Sequence, residues 1–178
     1  MHVRQFEDET DARVMFGLQG RAWGEAYADL LPDHVLDRMA ADPGEEAVAA
    51  WTHELAANRR GVLLAEDEAA GPIGFAEFRW GDAETKSFVG EDEAGLKAIY
   101  VDPDYWGQGA GTALLERGLS LLPESVETLR LEMLAGNEIG HEFYRAKGFA
   151  VTDEATHEIG DEAYPTLVYS LELEASQA

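Results

Sequence analysis

Three glycines at alternate positions, Gly107, Gly109 and Gly111, lie between an apolar run and a segment with helical periodicity. The run LKAIYV ends at Val101, and Pro103 just beyond it lacks the N–H that a sheet ladder requires. The first amides of a helix have no acceptor within the helix, and glycines let a backbone approach an anion closely. This order of elements therefore predicts a backbone site for a phosphate-like anion. An ordinary strand-to-helix connection is the alternative.

Two common nucleotide motifs match this segment poorly. The dinucleotide pattern G-x-G-x-x-G requires a further glycine at position 112 or 114, where Thr112 and Leu114 stand. The P-loop pattern ends in Gly-Lys-Ser/Thr, and no lysine lies between Lys97 and Lys147.

The segment does resemble the pyrophosphate loop of the GNAT superfamily of acyl-CoA-dependent N-acetyltransferases. That loop reads Gln/Arg-x-x-Gly-x-Gly/Ala after a strand and a V-x-P step, and Val101, Pro103, Gly109 and Gly111 match it. Trp106 stands where the family usually has Arg or Gln. This difference removes a side-chain partner for the phosphates.

Two further segments carry the same resemblance. Residues 131–149 read LEMLAGNEIGHEFYRAKGF, and Gly140 replaces the family's usual alanine. The residues at the family's offsets in this block are Asn137, Phe143, Tyr144, Gly148 and Phe149. A looser match near the N-terminus comprises Trp23, Tyr27, Leu31 and Pro32. Together the matches extend from about residue 3 to residue 171, which is nearly the whole chain.

The resemblance implies an α/β (α+β) fold in a single N-acetyltransferase domain, residues 1–178, with its core at about 3–173. We expect a mixed central sheet of about seven strands, flanked by helices on both faces and splayed between the fourth and fifth strands. The alternation of strand and helix patterns along the chain agrees with such a sheet. Asp11 is predicted to cap the first helix, and residues 175–178 are predicted to form a frayed tail.

The resemblance also implies acetyl-CoA as co-substrate. The edge of the fourth strand would offer backbone groups to the pantetheine arm, with an amide near Ile99 directed at the thioester oxygen. The glycine turn would hold the phosphates through its amides, and Asn137 would hold the pantetheine or orient a water. The implied cofactor-binding residues are Ile99, Tyr100, Val101, Gly107, Gln108, Gly109, Ala110, Gly111, Thr112 and Asn137.

Two side chains are candidates for proton transfer. A tyrosine at the position of Tyr144 protonates the departing thiolate in the family, and a phenol can serve as this acid. Glu132 matches the glutamate that acts as base in the ribosomal-protein alanine N-acetyltransferases. Glu77, Glu93 or a chain of waters are alternatives for the base, and Glu132 is otherwise an ordinary strand acid. Tyr144 is otherwise a packing residue of an amphipathic helix.

The acceptor side is less defined by the sequence. Trp23 and Tyr27 are four positions apart and would form one aromatic face near the acceptor pocket, or part of the core. The predicted function is acetyl transfer by direct attack of a primary amine, which belongs to a small molecule or a protein N-terminus. A non-catalytic acyl-CoA-binding module and a nucleotide-binding protein unrelated to CoA are the alternatives. Homodimers are common in the family.

The composition narrows the class of partner. Thirteen basic and thirty-six acidic residues give a formal net charge of −23, and only three of the basic residues are lysines. Such a surface repels nucleic acid and anionic membranes, so neither is an expected partner. The dispersed acids favour adaptation to a salt-rich, halophilic cytoplasm over a surface for cationic substrates.

Several other kinds of site are not expected. The chain has no cysteine, which excludes disulfides, thiolate metal sites and a cysteine nucleophile. The five histidines show no metal-ligand spacing, so no metal is expected. No apolar run has the length of a membrane span, and the N-terminus lacks a signal-peptide pattern, so we predict a cytoplasmic protein.

Overall fold

One mixed sheet forms the centre of the protein, and a computed structural model describes residues 1–174 of it. The seven strands of this part are β1 His2–Gln5, β2 Val62–Asp67, β3 Gly71–Arg79, β4 Glu93–Val101, β5 Thr128–Leu134, β6 Ala150–Ile159 and β7 Glu162–Glu172. The α-helices are α1 Glu9–Ala26, α2 Asp33–Ala40, α3 Glu45–Ala57, α4 Ala110–Leu121 and α5 Glu138–Ala146. The tail predicted at residues 175–178 lies outside the described residues.

Within residues 1–174 the strand order is β1-β2-β3-β4-β5-β7-β6, and only β4 and β5 are parallel neighbours there. Their ladder joins Glu93–Gly95 to Thr128–Arg130 and goes no further. Beyond it the two strands diverge, so the expected fold class and the splay between the fourth and fifth strands are confirmed.

The core has two sides because successive residues of a strand point to opposite faces. On β2, Leu63 belongs to the apolar cluster that contains Leu114 of α4. The next residue, Leu64, belongs to the cluster that contains Leu18 of α1 and Leu55 of α3. Helices therefore cover both faces of the sheet.

The first helix begins earlier than the sequence predicts. Asp8 is the N-cap, and its carboxylate accepts a hydrogen bond from the Thr10 amide at 3.0 Å. Asp11 lies inside the helix, is 5% exposed and is paired with the Arg4 guanidinium at 2.8 Å. The expectation that Asp11 caps α1 is wrong, because this carboxylate is used to join α1 to β1.

A β-bulge in β4 sets the directions of its side chains. The β3–β4 register shifts once, which leaves Lys97 without a partner on β3. Because a bulge adds one residue, the side chains that follow it point to the opposite faces of the sheet from those expected in a regular strand. Leu96 before the bulge, and Ile99 and Val101 after it, all pack on the α4 side, whereas Tyr100 packs on the α1 side.

The C-terminal hairpin differs most from expectation. The sequence predicts a strand at residues 149–152, whereas β6 extends to Ile159 and pairs with β7 along its length. Almost all of β6 is exposed, so its sequence lacks the apolar alternation that marks a strand. Hydrogen bonding to β7 therefore fixes β6 as a strand, although its own sequence does not predict one over this length.

Candidate active site

A cleft of about 290 Å³ opens where β4 and β5 diverge. We call it the splay cleft; its walls are residues 96–101 of β4, residues 105–107 and 109–112, residues 131–133 of β5, and parts of α1 and α5. All the site residues predicted from the sequence line this cleft except Gln108 and Trp23. The fold thus gathers the predicted strand edge, glycine turn, Asn137, Tyr144 and Glu132 into one space.

Two glycines of the glycine turn have backbone angles that other residues adopt only with strain. Gly107 and Gly109 have φ values of +77° and +92°, in the left-handed region where a side chain is strained. Gly109 is the N-cap of α4 and supplies no side-chain cap. Trp106 donates its indole N–H to the Val101 carbonyl at 2.8 Å. The tryptophan therefore holds the start of the turn against the end of β4.

The amides of this turn are free. None of the backbone N–H groups of residues 107–112 donates a hydrogen bond to another atom of residues 1–174. The first helical bond of α4 is that of Ala113 to the Gly109 carbonyl at 2.9 Å. Six unpaired amides in succession, at the positive end of a helix dipole, are suited to bind a phosphate anion.

The edge of β4 continues from this turn along the cleft. From Leu96 onward, β4 has no ladder to β5 within the described part of the chain. Unpaired strand groups can bond an extended ligand as another strand would. Ile99, Tyr100 and Val101 line this wall, so their backbone lies at the cleft into which the sequence predicts that a pantetheine arm would extend.

Tyr144 lies on α5 and is 7% exposed. Its ring stacks on that of Tyr169, with 5.9 Å between centroids. Burial raises the pKa of the Tyr144 hydroxyl well above its ordinary value, and the nearby Tyr100 and Tyr27 add to the effect. The hydroxyl is therefore protonated at any ordinary pH and can act as a proton donor toward the cleft.

Asn137 is the N-cap of α5, and its Oδ1 accepts a hydrogen bond from the Gly140 amide at 3.0 Å. The oxygen is thus occupied by the helix, and the amide nitrogen remains for a ligand or water. The structure also explains the glycine at position 140. A Cβ there would collide with the Met133 sulfur and with the Asn137 side chain.

A second cavity, of about 340 Å³, lies next to the splay cleft. We call it the aromatic cavity, because its wall contains the rings of Trp23, Tyr27, Trp51, Phe75 and Tyr100. Trp23 lines this cavity and not the cleft, and its indole N–H is buried without a partner among residues 1–174. Gln108 lines neither space; it is exposed and points its amide toward the Asp104 carbonyl at 3.5 Å.

Glu132 lines both the splay cleft and the aromatic cavity. Its carboxylate accepts a hydrogen bond from the Thr166 hydroxyl at 2.7 Å and pairs with the Lys86 ammonium at 3.2 Å. Both partners come from distant elements, and sequence reasoning missed them. The carboxylate is held in place at the junction of the two spaces.

The alternative bases have other positions. Glu77 lines the aromatic cavity, but it is 2% exposed and forms an ion pair with Arg79 at 2.7 Å. Glu93 lies on the paired end of β4 and bonds Arg130 at 3.0 Å. Of the three carboxylates, only Glu132 lines the splay cleft.

Two observations on the described residues concern metal ligands and membrane-spanning helices. Among residues 1–174, no group of three or more histidines, cysteines and acids is placed to hold a metal ion. In the same residues, no helix is both long and apolar enough to cross a membrane.

Solved N-acetyltransferase structures share this fold over nearly the whole chain. A GCN5-related N-acetyltransferase from Rhodopseudomonas palustris has a TM-score of 0.73 at 21% identity, covering 97% of this chain and 95% of that one. The PaiA N-acetyltransferase from Thermoplasma acidophilum, solved in complex with coenzyme A, has a TM-score of 0.70 at 18% identity, covering 97% and 100%. At these identities the likeness defines the class by fold.

The sequence comparison then gives the family. The acetyltransferase (GNAT) family profile matches residues 21–149, so the chain belongs to this family. The resemblance seen in the sequence is confirmed. The [Ribosomal protein bS18]-alanine N-acetyltransferase of Escherichia coli strain K12 is 46% identical over 76 residues, which are 42% of this chain and 48% of that enzyme. The chain spans about half or less of the length of the curated relatives that it matches.

Proposed function

We propose that this chain is a single N-acetyltransferase domain, residues 1–178, that transfers an acetyl group from acetyl-CoA to a primary amine by direct attack. One observation carries the proposal. The free amides of residues 107–112 lie at the end of a cleft that also contains the open edge of β4, Tyr144 and Glu132. A diphosphate, a pantetheine arm and a thioester require these features in this order.

The chain would bind acetyl-CoA mainly through its backbone. The amides of the glycine turn would hold the diphosphate, and the edge at Ile99, Tyr100 and Val101 would hold the pantetheine arm. An amide near Ile99 would polarise the thioester carbonyl, and the free amide nitrogen of Asn137 would add a donor. Gln108 contributes only its backbone in this arrangement.

On the chemical side, three proton transfers are needed. Glu132 would take a proton from the ammonium, directly or through water, so that the amine is neutral when it attacks. The C–N bond then forms while the C–S bond breaks, and Tyr144 would give its proton to the departing thiolate. The proton that the new amide nitrogen loses would return through water to Tyr144, and Glu132 would release its proton to solvent. Burial raises the pKa of Tyr144, and the same apolar surroundings also destabilise a thiolate, which favours protonation of the departing sulfur.

The acceptor would enter from the aromatic cavity, where Trp23 and Tyr27 meet edge to face at 5.1 Å between ring centroids. A small amine and a protein N-terminus are both consistent with this entry. The E. coli relative's name specifies an alanine of a ribosomal protein, which supports including N-terminal peptides among the acceptors tested.

The charge of −23 does not oppose this proposal if the protein works in a salt-rich cytoplasm. Coenzyme A is polyanionic, and the protein repels it at low ionic strength. At about 1 M salt the Debye length is roughly 3 Å, so the repulsion is mostly screened and the local amides decide the affinity.

The test has a binding arm and a turnover arm, both in high salt. Acetyl-CoA at about a hundred times its dissociation constant adds roughly 2.7 kcal/mol of stability, so it should raise the melting temperature, whereas ATP and NAD should not. A panel of amines and N-terminal peptides is then screened for release of free CoA. Binding without release from any acceptor would favour the non-catalytic module. Stabilisation by ATP or NAD alone would overturn the proposal.

A further inference from the structure

Lysines are rare in this chain, and their placement is uneven. The sequence contains only Lys86, Lys97 and Lys147, against thirty-six acids. Two of the three, Lys86 and Lys97, line the aromatic cavity. In a protein with a net charge of −23, the presence of two of its three lysines in one cavity calls for an explanation.

Both carboxylates of this cavity already have a basic partner. Its lining includes two carboxylates, Glu77 and Glu132. Arg79 pairs with the first at 2.7 Å, and Lys86 pairs with the second at 3.2 Å. Lys97 has no carboxylate within 4.0 Å among residues 1–174. The Lys97 ammonium is therefore available to an anion that enters the cavity.

Lys97 also lies where an acceptor would react. It is the bulged residue of β4, and it lines both the splay cleft and the aromatic cavity. Ile99, whose amide is proposed to face the thioester, is two residues further on, about 6.6 Å along a strand. A long flexible lysine side chain can reach across this distance to an anionic group close to the reacting amine.

The rest of the cavity is suited to an apolar body. The rings of Trp51 and Phe75 lie 6.1 Å apart, and those of Phe75 and Tyr100 lie 5.6 Å apart, so they form a continuous wall. Met133 and Ile159 also line the cavity. Aromatic and aliphatic surfaces of this kind bury an apolar side chain.

We propose that the acceptor is an amine that also carries a carboxylate, of the class of apolar α-amino acids, and that Lys97 binds this carboxylate. The inference rests on the proposed acetyl transfer and specifies its substrate class. Lys97 would recognise the carboxylate as a point charge, while the aromatic wall takes the side chain. The ammonium of the acceptor would then face Glu132.

Matched pairs of acceptors test this directly. Phenylalanine is compared with phenethylamine, and leucine with isoamylamine, because each pair differs only by the carboxylate. A peptide with an N-terminal phenylalanine represents the protein N-terminus, since its carboxylate is replaced by an amide. The ratio of kcat/KM within each pair is measured for the wild type, for Lys97→Met and for Lys147→Met.

The wild type should prefer the amino acid of each pair. Lys97→Met should lower kcat/KM for the amino acids on the order of tenfold to a hundredfold, as expected for loss of a charge-assisted hydrogen bond, and change that for the amines by less than about threefold. Lys147→Met removes the same charge from a lysine that lies 5.7 Å over the Phe143 ring, and it should leave the ratios unchanged. N-acetylphenylalanine and N-acetylphenethylamine, titrated by calorimetry, should show the same discrimination without turnover.

Two outcomes would overturn the inference. A wild type that prefers phenethylamine or the peptide, or a Lys97→Met enzyme that loses both members of a pair equally, would show that the carboxylate is not read by Lys97. Both leave the acetyltransferase proposal intact. Failure to bind acetyl-CoA or to acetylate any amine would instead overturn the proposed function, and this inference with it.

Discussion

The splay cleft and the aromatic cavity share Glu132 and Lys97, yet they are built in opposite ways. The part of the cleft that faces the proposed cofactor comes from a single stretch of the chain between residues 99 and 112, and it offers backbone groups. The aromatic cavity takes side chains from α1, α3 and all the strands from β3 to β7. A site made of backbone groups can keep its ligand when side chains change. A site made of side chains can differ from one protein to the next.

The difference extends to electrostatics. The glycine turn of the cleft offers an anion only neutral dipoles, the free amides of residues 107–112, with no lysine or arginine in the turn itself. The cavity has a lysine ammonium without a carboxylate partner in the described chain. A protein with a net charge of −23 would thus use one mode for the proposed cofactor, which carries much charge, and another for the proposed acceptor, which carries little.

The largest expected effect is on the chemistry at the boundary of the two regions. Tyr144→Phe should lower kcat by about 10²–10⁴, the usual contribution of a positioned acid, and leave the KM for acetyl-CoA within about threefold. The ring still packs on Tyr169, so the melting temperature should hardly change. Steady-state kinetics with a good acceptor measure both constants, and an unchanged kcat would exclude Tyr144 as the acid.

A second experiment tests whether acetyl-CoA is bound by the backbone or by the side chains of the glycine turn. Gly109→Val forces a β-branched residue into φ +92°, at a cost of about 1–3 kcal/mol, so acetyl-CoA affinity should fall at least about tenfold. Gln108→Ala should have no effect, because this side chain lines neither space. Titration calorimetry gives the dissociation constants.

Gly44→Val is the matched control for strain. Gly44 has φ +85° and precedes α3, away from the cleft, and a Cβ added to it would meet no atom within 4 Å. This variant should lose stability as Gly109→Val does and keep its acetyl-CoA affinity. Equal losses of affinity in both variants would mean that the glycine turn has no special part in binding.

The pH dependence of stability tests the buried hydroxyls between the two regions. Burial raises the pKa of both Tyr27 and Tyr144 above the value near 10 of the unfolded chain. The folded state holds these protons more tightly, so their stabilisation is complete below about pH 10 and is lost as the pH rises toward the folded pKa. The free energy of unfolding should fall by up to about 1.4 kcal/mol per pH unit for each tyrosine.

Urea unfolding at pH 9 and pH 11 measures this fall in the wild type and in Tyr144→Phe. The variant lacks one of the two hydroxyls, so its stability should decline less steeply with pH. Identical declines would indicate that Tyr144 titrates in the folded protein as an exposed tyrosine does.

The smallest expected effect is the difference in salt dependence. Between about 0.2 M and 2 M KCl, acetyl-CoA affinity should hold or rise, because screening removes repulsion and the amides need no counter-charge. The preference for phenylalanine over phenethylamine should decline a few-fold, because Lys97 is exposed and its attraction is screened. A steep loss of acetyl-CoA affinity with salt, in a protein that remains folded, would contradict the contrast between the two regions.

Local sequence patterns predict the elements that depend on neighbouring residues and fail for features that depend on distant partners. The strand, turn and helix around Gly109 involve contacts between neighbours in sequence, and the structure has them as predicted. Asp11 fits the local motif of a cap, whereas its partner Arg4 lies on β1 and no local motif includes it. The length of β6 depends on its pairing with β7, which no pattern within β6 reveals.

The sequence alone determined the family, the mixed sheet, the glycine turn and the residues that surround the splay cleft, because each depends on short motifs and on the alternation of apolar residues. Only the tertiary structure decided that Trp23 belongs to a second cavity, that Thr166 and Lys86 hold Glu132, and that Lys97 has no carboxylate within 4.0 Å among residues 1–174. Those facts depend on side chains brought together from distant strands and helices. Their proximity is fixed by the order and register of the sheet, which local residue patterns do not encode.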